Sequence, residues 1–176
     1  RSGQVQQCEI QSPSLKEVYC GMNRLSSIDV THNPNLKVLH CEDNDISTIN
    51  LKNNTELLSL VCDENNISEL DLKKNIHLES LYFEYNNLSS IELNYCPNLK
   101  ILDCANNKLS SLKINCCPKI TYLNTFSNNL NVLDISTLTS LSWLNCYENP
   151  LKTLYIYEGQ MNVITTKYIP TTTNIV

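Results

Sequence analysis

Apolar residues return along this chain at a fixed interval of 21 residues. Seven copies of the pattern follow one another without a gap, and they begin at Leu15, Leu36, Leu57, Leu78, Leu99, Ile120 and Leu141. In every copy positions 1, 4, 11, 14 and 16 are apolar, and position 9 is Asn. A fixed period of this length predicts a solenoid in which each copy forms one turn.

The spacing within a copy predicts two extended segments. Positions 4 and 6, such as Leu39 and Cys41, share one side of a strand, and positions 14 and 16, such as Ile49 and Leu51, repeat that spacing. Only about five residues then lead to the next copy, too few for a helix of ordinary length. Parallel strands stack about 4.8 Å apart, whereas a helix occupies ~10 Å. We therefore expect a parallel β-sheet on the concave face, short strands or extended turns on the convex face, little or no α-helix, and low curvature.

The repeats divide the chain into three parts. Residues 1–14 carry half of the pattern and predict an N-terminal half-repeat cap. Residues 15–161 contain the seven repeats, and residues 162–176, rich in β-branched residues and interrupted by Pro170, predict a C-terminal β cap.

Two rows of identical residues predict structural roles. The amide of each position 9 asparagine can serve both N–H and C=O groups where the chain leaves the strand, which predicts an asparagine ladder made of Asn23, Asn44, Asn65, Asn86, Asn107, Asn128 and Asn149. Position 6 is cysteine in five copies and predicts a cysteine ladder made of Cys20, Cys41, Cys62, Cys104 and Cys146. Stacked strands keep Cβ atoms about 4.8 Å apart, longer than the ~3.8 Å of a disulfide, so we expect reduced thiols. Cys116, at an outward position, is expected to react first.

Composition excludes several function classes. A net charge of -5 leaves no basic surface for nucleic acid and no polybasic membrane patch. No apolar run approaches the ~18 residues of a membrane span, so direct membrane insertion is not expected. Neither end carries a signal peptide or anchor motif, so an anchoring segment is expected outside this chain. At 176 residues the chain fits one domain.

The motif L-x-x-L-x-C-x-x-N-x-L-x-x-L-x-L-x-x-N resembles leucine-rich repeats, and specifically the short cysteine-bearing, internalin-like type of bacterial surface proteins. Phe83 and Thr125 depart from it by interrupting the cysteine ladder. The resemblance implies a secreted or cell-surface bacterial protein, and the lack of a catalytic combination of residues predicts that it is not an enzyme. The resemblance also implies that a protein ligand, from the host or from bacteria, binds on the concave sheet.

Outward positions of that sheet carry the candidate binding residues, a set of aromatics and carboxylates made of Tyr19, Glu42, Asp63, Tyr82, Glu84, Tyr85, Tyr122, Phe126, Trp143 and Tyr147. The period places Tyr122 beside Trp143 and Phe126 beside Tyr147, which predicts one patch of four rings. Aromatics of this kind supply much of the affinity at binding hot spots. The alternative is that these rings merely suit a parallel sheet, or that the C-terminal tail covers them.

Two other function classes stay open. A carbohydrate-binding module would use Tyr122 and Trp143 for stacking, with Asn124 and Asn145 as hydrogen-bonding partners. A structural spacer would bind nothing. No catalytic residues, cofactor or metal site are expected, because the three histidines, His32, His40 and His77, fall on different faces of the predicted coil.

Overall fold

The computed structural model describes residues 6–176, which form a parallel-strand β-solenoid of about eight turns. Residues 1–5, part of the predicted half-repeat, lie outside the described residues. The solenoid with almost no helix confirms the predicted fold class.

Thirteen short strands and one helical turn make up this part of the chain. In chain order they are β1 (Gln6–Glu9), β2 (Glu17–Tyr19), β3 (Leu25–Asp29), β4 (Val38–His40), β5 (Ser59–Val61), β6 (Ser80–Tyr82), β7 (Ile101–Asp103), β8 (Tyr122–Asn124), β9 (Val132–Asp134), β10 (Trp143–Asn145), β11 (Thr153–Tyr155), α1 (Gln160–Val163), β12 (Thr166–Tyr168) and β13 (Asn174–Ile175). Among these residues no helix is long and apolar enough to cross a membrane.

The main sheet has eight parallel strands in the order β12-β10-β8-β7-β6-β5-β4-β2. Within the repeats, neighbouring strands pair with a shift of 21 residues, so that Leu39 lies beside Leu60 and Leu60 beside Leu81. This is the sheet that the sequence analysis assigns to the concave face.

The opposite side of the coil, called the second face here, is paired only at its two ends. Strand β1 pairs with β3 at one end, and β9, β11 and β13 form a three-stranded sheet at the other. Between them the backbone makes one isolated bridge, from Ile28 to Ile49. Extended turns without regular pairing therefore cover the middle of this face.

The core is a column of apolar side chains between the two faces. Leu39, Leu60 and Leu81 are fully buried, and so are Ile46 and Ile67 on the connecting segments. Burying a side chain of this size contributes about 2 kcal/mol. The column extends from turn to turn, so each turn depends on its neighbours for burial.

A left-handed residue follows each main-sheet strand of the seven repeats. Position 8 has a positive φ in every copy, and these residues are Met22, Asp43, Glu64, Tyr85, Asn106, Ser127 and Glu148. None is glycine, and a left-handed L-residue costs about 1–2 kcal/mol. The turn must therefore be held by other contacts.

The position 9 asparagines supply those contacts. Asn86 Nδ2 donates to the backbone oxygens of Phe83 and Glu84 in its own turn and of Cys62 in the preceding turn, and its Oδ1 accepts from Ile67 N at 2.9 Å. Asn44, Asn65 and Asn107 make the same kind of contacts. One side chain thus holds the strained turn and joins it to its neighbour.

Four of the five cysteines in the ladder are buried, whereas Cys20 is half-buried. The Sγ atoms of Cys62 and Cys104 lie 3.4 and 3.2 Å from carbonyl oxygens of the next strand, as donors. Thr125, which interrupts the ladder, donates from Oγ1 to Asn145 O at 3.3 Å, and Phe83 fills its site as a fully buried ring. All nine cysteines are free.

The C-terminal tail adds β12 to the main sheet, beside β10, and β13 to the three-stranded sheet of the second face, beside β11. The turn before it begins at Gly159, whose φ of 82° suits glycine. Gln160 is fully buried, donates to Ile135 O and Leu138 O, and accepts from Tyr157 N. This glutamine fastens the tail to the last repeats.

Candidate binding surface

The outward side of the main sheet is formed by the first and third residues of its strands, and we call it the sheet face. In β4, β5, β6, β8 and β10 the middle residue is buried, whereas its two neighbours are half-buried. Outward side chains therefore pack beside one another across strands. A partner would meet them as a continuous surface.

Two predicted aromatics form a stacked pair on the sheet face. Tyr122 and Trp143 are register partners at the first positions of β8 and β10. Their ring centroids lie 4.2 Å apart with an interplanar angle of 9°. A third ring, Tyr168 of β12, lies 6.2 Å from Trp143 at 59°. These three rings are the "aromatic cluster" below.

The other two members of the predicted ring patch lie beyond the strand ends. Phe126 is half-buried, and Tyr147 is 50% exposed. Among the residues that the structure describes, no ring contact joins either of them to the stacked pair. The patch of four rings thus remains a prediction, and the observed cluster has a different third member.

The three remaining aromatics are separate from the cluster. Tyr19 is 64% exposed at the N-terminal edge, where its ring meets His40 edge-on at 4.9 Å. Tyr82 is half-buried in β6, and Tyr85 occupies one of the left-handed positions. The aromatics are therefore spread along the face, with their stacking at its C-terminal end.

Carboxylates lie beside the middle of the sheet face, just beyond the ends of its strands. Asp63 and Glu84 are half-buried, and Asp63 Oδ1 accepts from Glu84 N at 2.6 Å. Glu84 Oε1 accepts from Asn106 Nδ2 at 3.1 Å. Backbone and amide donors thus fix these carboxylates in place.

A further carboxylate, Asp103 at the end of β7, connects the acidic and aromatic parts. Its Oδ2 accepts from the Tyr122 hydroxyl at 3.2 Å and from Asn124 Nδ2 at 3.0 Å. Its Oδ1 accepts from Ala105 N at 3.2 Å, and the residue is only 6% exposed. The orientation of Tyr122, and with it the stacked pair, depends on this aspartate.

Burial weakens the charge of this acidic group. It raises the pKa of Asp63 to about 7, against the opposing hydrogen bond from Glu84 N, and the nearby Asp103 adds to the rise. Burial also raises the pKa of Glu84 and of Asp103, and that of the Tyr122 hydroxyl. At neutral pH Asp63 is therefore protonated in part of the molecules, whereas an exposed aspartate would be ionised.

Glu42 stands apart from the other acids. Its carboxylate lies over Gly21 on the adjacent strand end, where an added Cβ would come within 2.5 Å of Glu42 Oε1. Its Oε2 is buried without a hydrogen-bond partner among the described residues. Gly21 thus provides the space into which Glu42 folds.

Burial at position 7 varies from copy to copy. Ala105 at this position is fully buried, Glu42, Asp63 and Glu84 are half-buried, and Tyr147 is 50% exposed. Position 7 therefore contributes unevenly to the outer surface, and its residues lie just beyond the ends of the strands.

Sequence reasoning missed two residues of this surface. Asp103 belongs to position 5, which reads Tyr19, His40, Val61, Tyr82, Asp103, Asn124 and Asn145, and a comparison along that position would have found it. Tyr168 lies outside the 21-residue pattern. Only the pairing of β12 with β10 places it beside Trp143.

Comparison with known proteins finds a family and several similar structures. The family of leucine-rich repeats in two copies matches residues 76–115. The functional domain of InlJ from Listeria monocytogenes, which includes a cysteine ladder, is similar with a TM-score of 0.74 and 28% identity over 87% of this chain and 38% of that chain. YopM from Yersinia enterocolitica has a TM-score of 0.73 and 26% identity over 95% of this chain and 34% of its own.

A plant receptor shows the same fold at lower identity. The leucine-rich repeat ectodomain of the receptor kinase GASSHO1/SCHENGEN3 from Arabidopsis thaliana, solved in complex with CASPARIAN STRIP INTEGRITY FACTOR 2, has a TM-score of 0.72 and 19% identity over 92% of this chain and 24% of that chain. The chain therefore spans less than two fifths of each of these three structures. No match is found among curated proteins.

Proposed function

Because this chain is a leucine-rich repeat protein with an internalin-like cysteine ladder, we propose that it is a protein-binding module of a bacterial secreted or cell-surface protein. Its ligand, a host or bacterial protein, docks on the sheet face. Repeat proteins of this fold mediate protein binding, and the plant receptor above is an example of one in complex. The surface location rests on the similarity to the InlJ domain.

The observation that carries the docking site is the aromatic cluster. Trp143 and Tyr122 stay half-buried, and Tyr168 is 54% exposed, although a folded sheet does not need large rings on its outer side. The hydrogen bond to Asp103 restricts Tyr122, so little side-chain entropy remains to be lost on binding. Preorganised rings of this kind act as anchors in protein interfaces.

The acidic group favours a basic partner. A cation near Asp63 would stabilise its charged form, so binding would release a proton that the free protein holds near neutral pH. Affinity for a basic ligand should therefore increase as the pH rises through about 7. Glu42, Glu84 and Asp103 add attraction that speeds association at low salt.

Carbohydrate binding is the alternative, and the geometry supports it less. Sugar rings stack on open aromatic faces, but Tyr122 and Trp143 cover each other at 4.2 Å. The nearby polar atoms of Tyr122 and Asn124 already donate to Asp103. A glycan array on which the chain binds a defined sugar, with loss of binding in Trp143→Ala, would favour this alternative.

Affinity selection tests the proposal. A displayed library of host and bacterial extracellular proteins is screened with the chain, and each ligand is then titrated against Trp143→Ala and Tyr155→Ala. Trp143→Ala is expected to cost about 2 kcal/mol or more, roughly a 30-fold loss of affinity. Tyr155, 43% exposed on the second face, is the matched control and should change affinity little. A ligand that loses affinity only with Tyr155→Ala would place binding on the second face and refute this site.

A further inference from the structure

Three metal-ligating side chains meet at the N-terminal end of the second face. Glu9 ends β1, Asp29 ends β3, and His32 lies in the turn that follows. One ligand atom from each lies within 4.8 Å of the other two. In the part of the chain that the structure describes, this is the one group of three such residues with that spacing.

The strand register produces this meeting. Strand β1 pairs with β3 in parallel, and Glu9 is the register partner of Asp29. The chain then turns at Thr31, and the buried Asn33 donates from Nδ2 to Ser12 O at 2.8 Å. This contact fixes the turn that carries His32 against the half-turn that carries Glu9. The sequence predicts no metal site when the three histidines are compared only with one another, and His32 instead meets the carboxylates of Glu9 and Asp29.

Neighbouring donors orient the carboxylates and leave ligand atoms free. Asp29 Oδ1 accepts from Thr31 N at 2.9 Å and from Thr31 Oγ1 at 2.7 Å, which leaves Oδ2. Glu9 Oε1 accepts from Gln11 Nε2 at 2.6 Å, which leaves Oε2. Hydrogen bonds of this kind position the ligands of protein metal sites.

Among residues 6–176 no lysine or arginine forms a salt bridge with this group. The two salt bridges found among residues 6–176 involve Lys73 with Glu92 and Lys100 with Glu79, far from this end along the chain. Two carboxylates held side by side repel each other, and a bound cation would remove that repulsion.

The later turns do not repeat the combination. Asp71 occupies the repeat position of Asp29, but Lys74 stands where His32 would be and Asn50 stands in the preceding turn in place of Glu9. The combination thus belongs to the end of the solenoid, where the half-turn meets the first full turn. A combination of ligands that occurs at one end and not in the repeats indicates a role specific to that end.

We propose that Glu9, Asp29 and His32 bind a divalent transition metal of the zinc class and clamp the N-terminal half-turn onto the first full turn. One imidazole with two carboxylates suits Zn²⁺ and its first-row neighbours, whereas Ca²⁺ and Mg²⁺ favour sites made of oxygen ligands. Zinc bonds of about 2.0–2.2 Å require the three atoms to approach more closely than they do now. Glu9 and His32 are exposed, so rotation of their side chains can provide that approach. Water completes the coordination.

Zinc titration of the full chain tests the proposal, with a non-chelating reductant present to keep the nine thiols reduced. Calorimetry should find one saturable Zn²⁺ site. His32→Ala and Glu9→Gln are each expected to weaken it by about tenfold or more. Asp71→Asn, the carboxylate at the equivalent repeat position, and His77→Ala, an exposed histidine on a later turn, are matched controls and should bind as the parent does.

The absorption spectrum of bound Co²⁺ distinguishes binding at this site from binding by cysteine thiolates. Binding at Glu9, Asp29 and His32 gives weak ligand-field bands without intense thiolate charge transfer. Hydrogen exchange gives an independent measure of the clamp, because Zn²⁺ should slow exchange of the amides of residues 7–10 in the parent but not in His32→Ala.

Three results would overturn the proposal. The first is no saturable binding by the parent. The second is equal Zn²⁺ affinity of the parent and His32→Ala. The third is a thiolate charge-transfer band that accounts for all bound Co²⁺. Because Glu9 and His32 are exposed, their substitution should leave the fold intact, and circular dichroism of both variants verifies this.

Discussion

Single side chains decide whether each turn of this solenoid can close. Position 8 is left-handed in all seven repeats without a glycine, and position 9 supplies the amide that holds it. The sequence alone shows that Asn recurs and predicts that it serves backbone groups. The left-handed residue before it could not be predicted, because position 8 carries residues as different as Met22, Tyr85 and Glu148.

Asn86→Ala should lower the free energy of unfolding by about 1–3 kcal/mol, because it removes four hydrogen bonds and leaves buried backbone groups without partners. Asn23→Ala is the matched control. Asn23 is exposed at the first turn, and within residues 6–176 its amide makes two such contacts, to Cys20 O and Gly21 O. Urea denaturation of both variants measures the difference, and equal midpoints would contradict this role.

Asp63→Asn should stabilise the protein at alkaline pH and have little effect in acid. The pKa of Asp63 is about 7 in the folded chain against an ordinary value of 3.8, so the folded state binds the proton more tightly than the unfolded state. Stability from this group is therefore present in acid and is lost as the pH rises from about 4 to about 7. For a half-buried group the gain at about pH 8 should be about 2 kcal/mol.

Denaturation of the parent and of Asp63→Asn across this pH range measures the effect. Asp71→Asn removes one exposed carboxylate from the second face and controls for the change in net charge. The prediction is contradicted if the free energy of unfolding of the parent rises from about pH 5 to about pH 8 while its difference from that of Asp63→Asn stays constant. That result would show that the pKa of Asp63 is not raised by folding.

At the scale of strands, cysteines of the ladder are core residues that also donate hydrogen bonds from Sγ to carbonyl oxygens of the next strand. Thr125 interrupts the cysteines but makes the same kind of contact, from a side-chain donor to a carbonyl of the next strand. Phe83 makes no such contact and instead fills the site with its ring. The interruptions that the sequence shows are thus compatible with one strand geometry.

Thiol labelling of the native protein should modify Cys116 before Cys41 and Cys62. Cys116 is half-buried on the second face, whereas Cys41 and Cys62 are fully buried. Burial also raises the pKa of both ladder thiols, which disfavours the reactive thiolate. Mass spectrometry after brief exposure to iodoacetamide gives the order, and Cys116→Ser should remove the early product. Early modification of Cys41 would mean that the ladder opens readily.

At the scale of the whole molecule, the period was sufficient to predict the solenoid, because a 21-residue shift leaves one register for every strand pair. The 21-residue period predicts the candidate binding surface less completely than the fold. The period correctly places Tyr122 beside Trp143, but it cannot place Tyr168, which belongs to the tail. It also cannot bring Glu9 to His32, because the half-repeat before Leu15 is shorter than a full copy.

Within residues 6–176 each strand pairs only with strands of the neighbouring turns, and this has a mechanical consequence. Pulled by its two ends, this part of the chain would unwind from a terminus one coil at a time, since its strands pair between adjacent turns. Each released coil of 21 residues would lengthen the tether by about 70 Å, at about 3.4 Å per extended residue. A chain held at both ends would therefore lengthen in equal steps under a pulling force and shorten again, coil by coil, when the force is released.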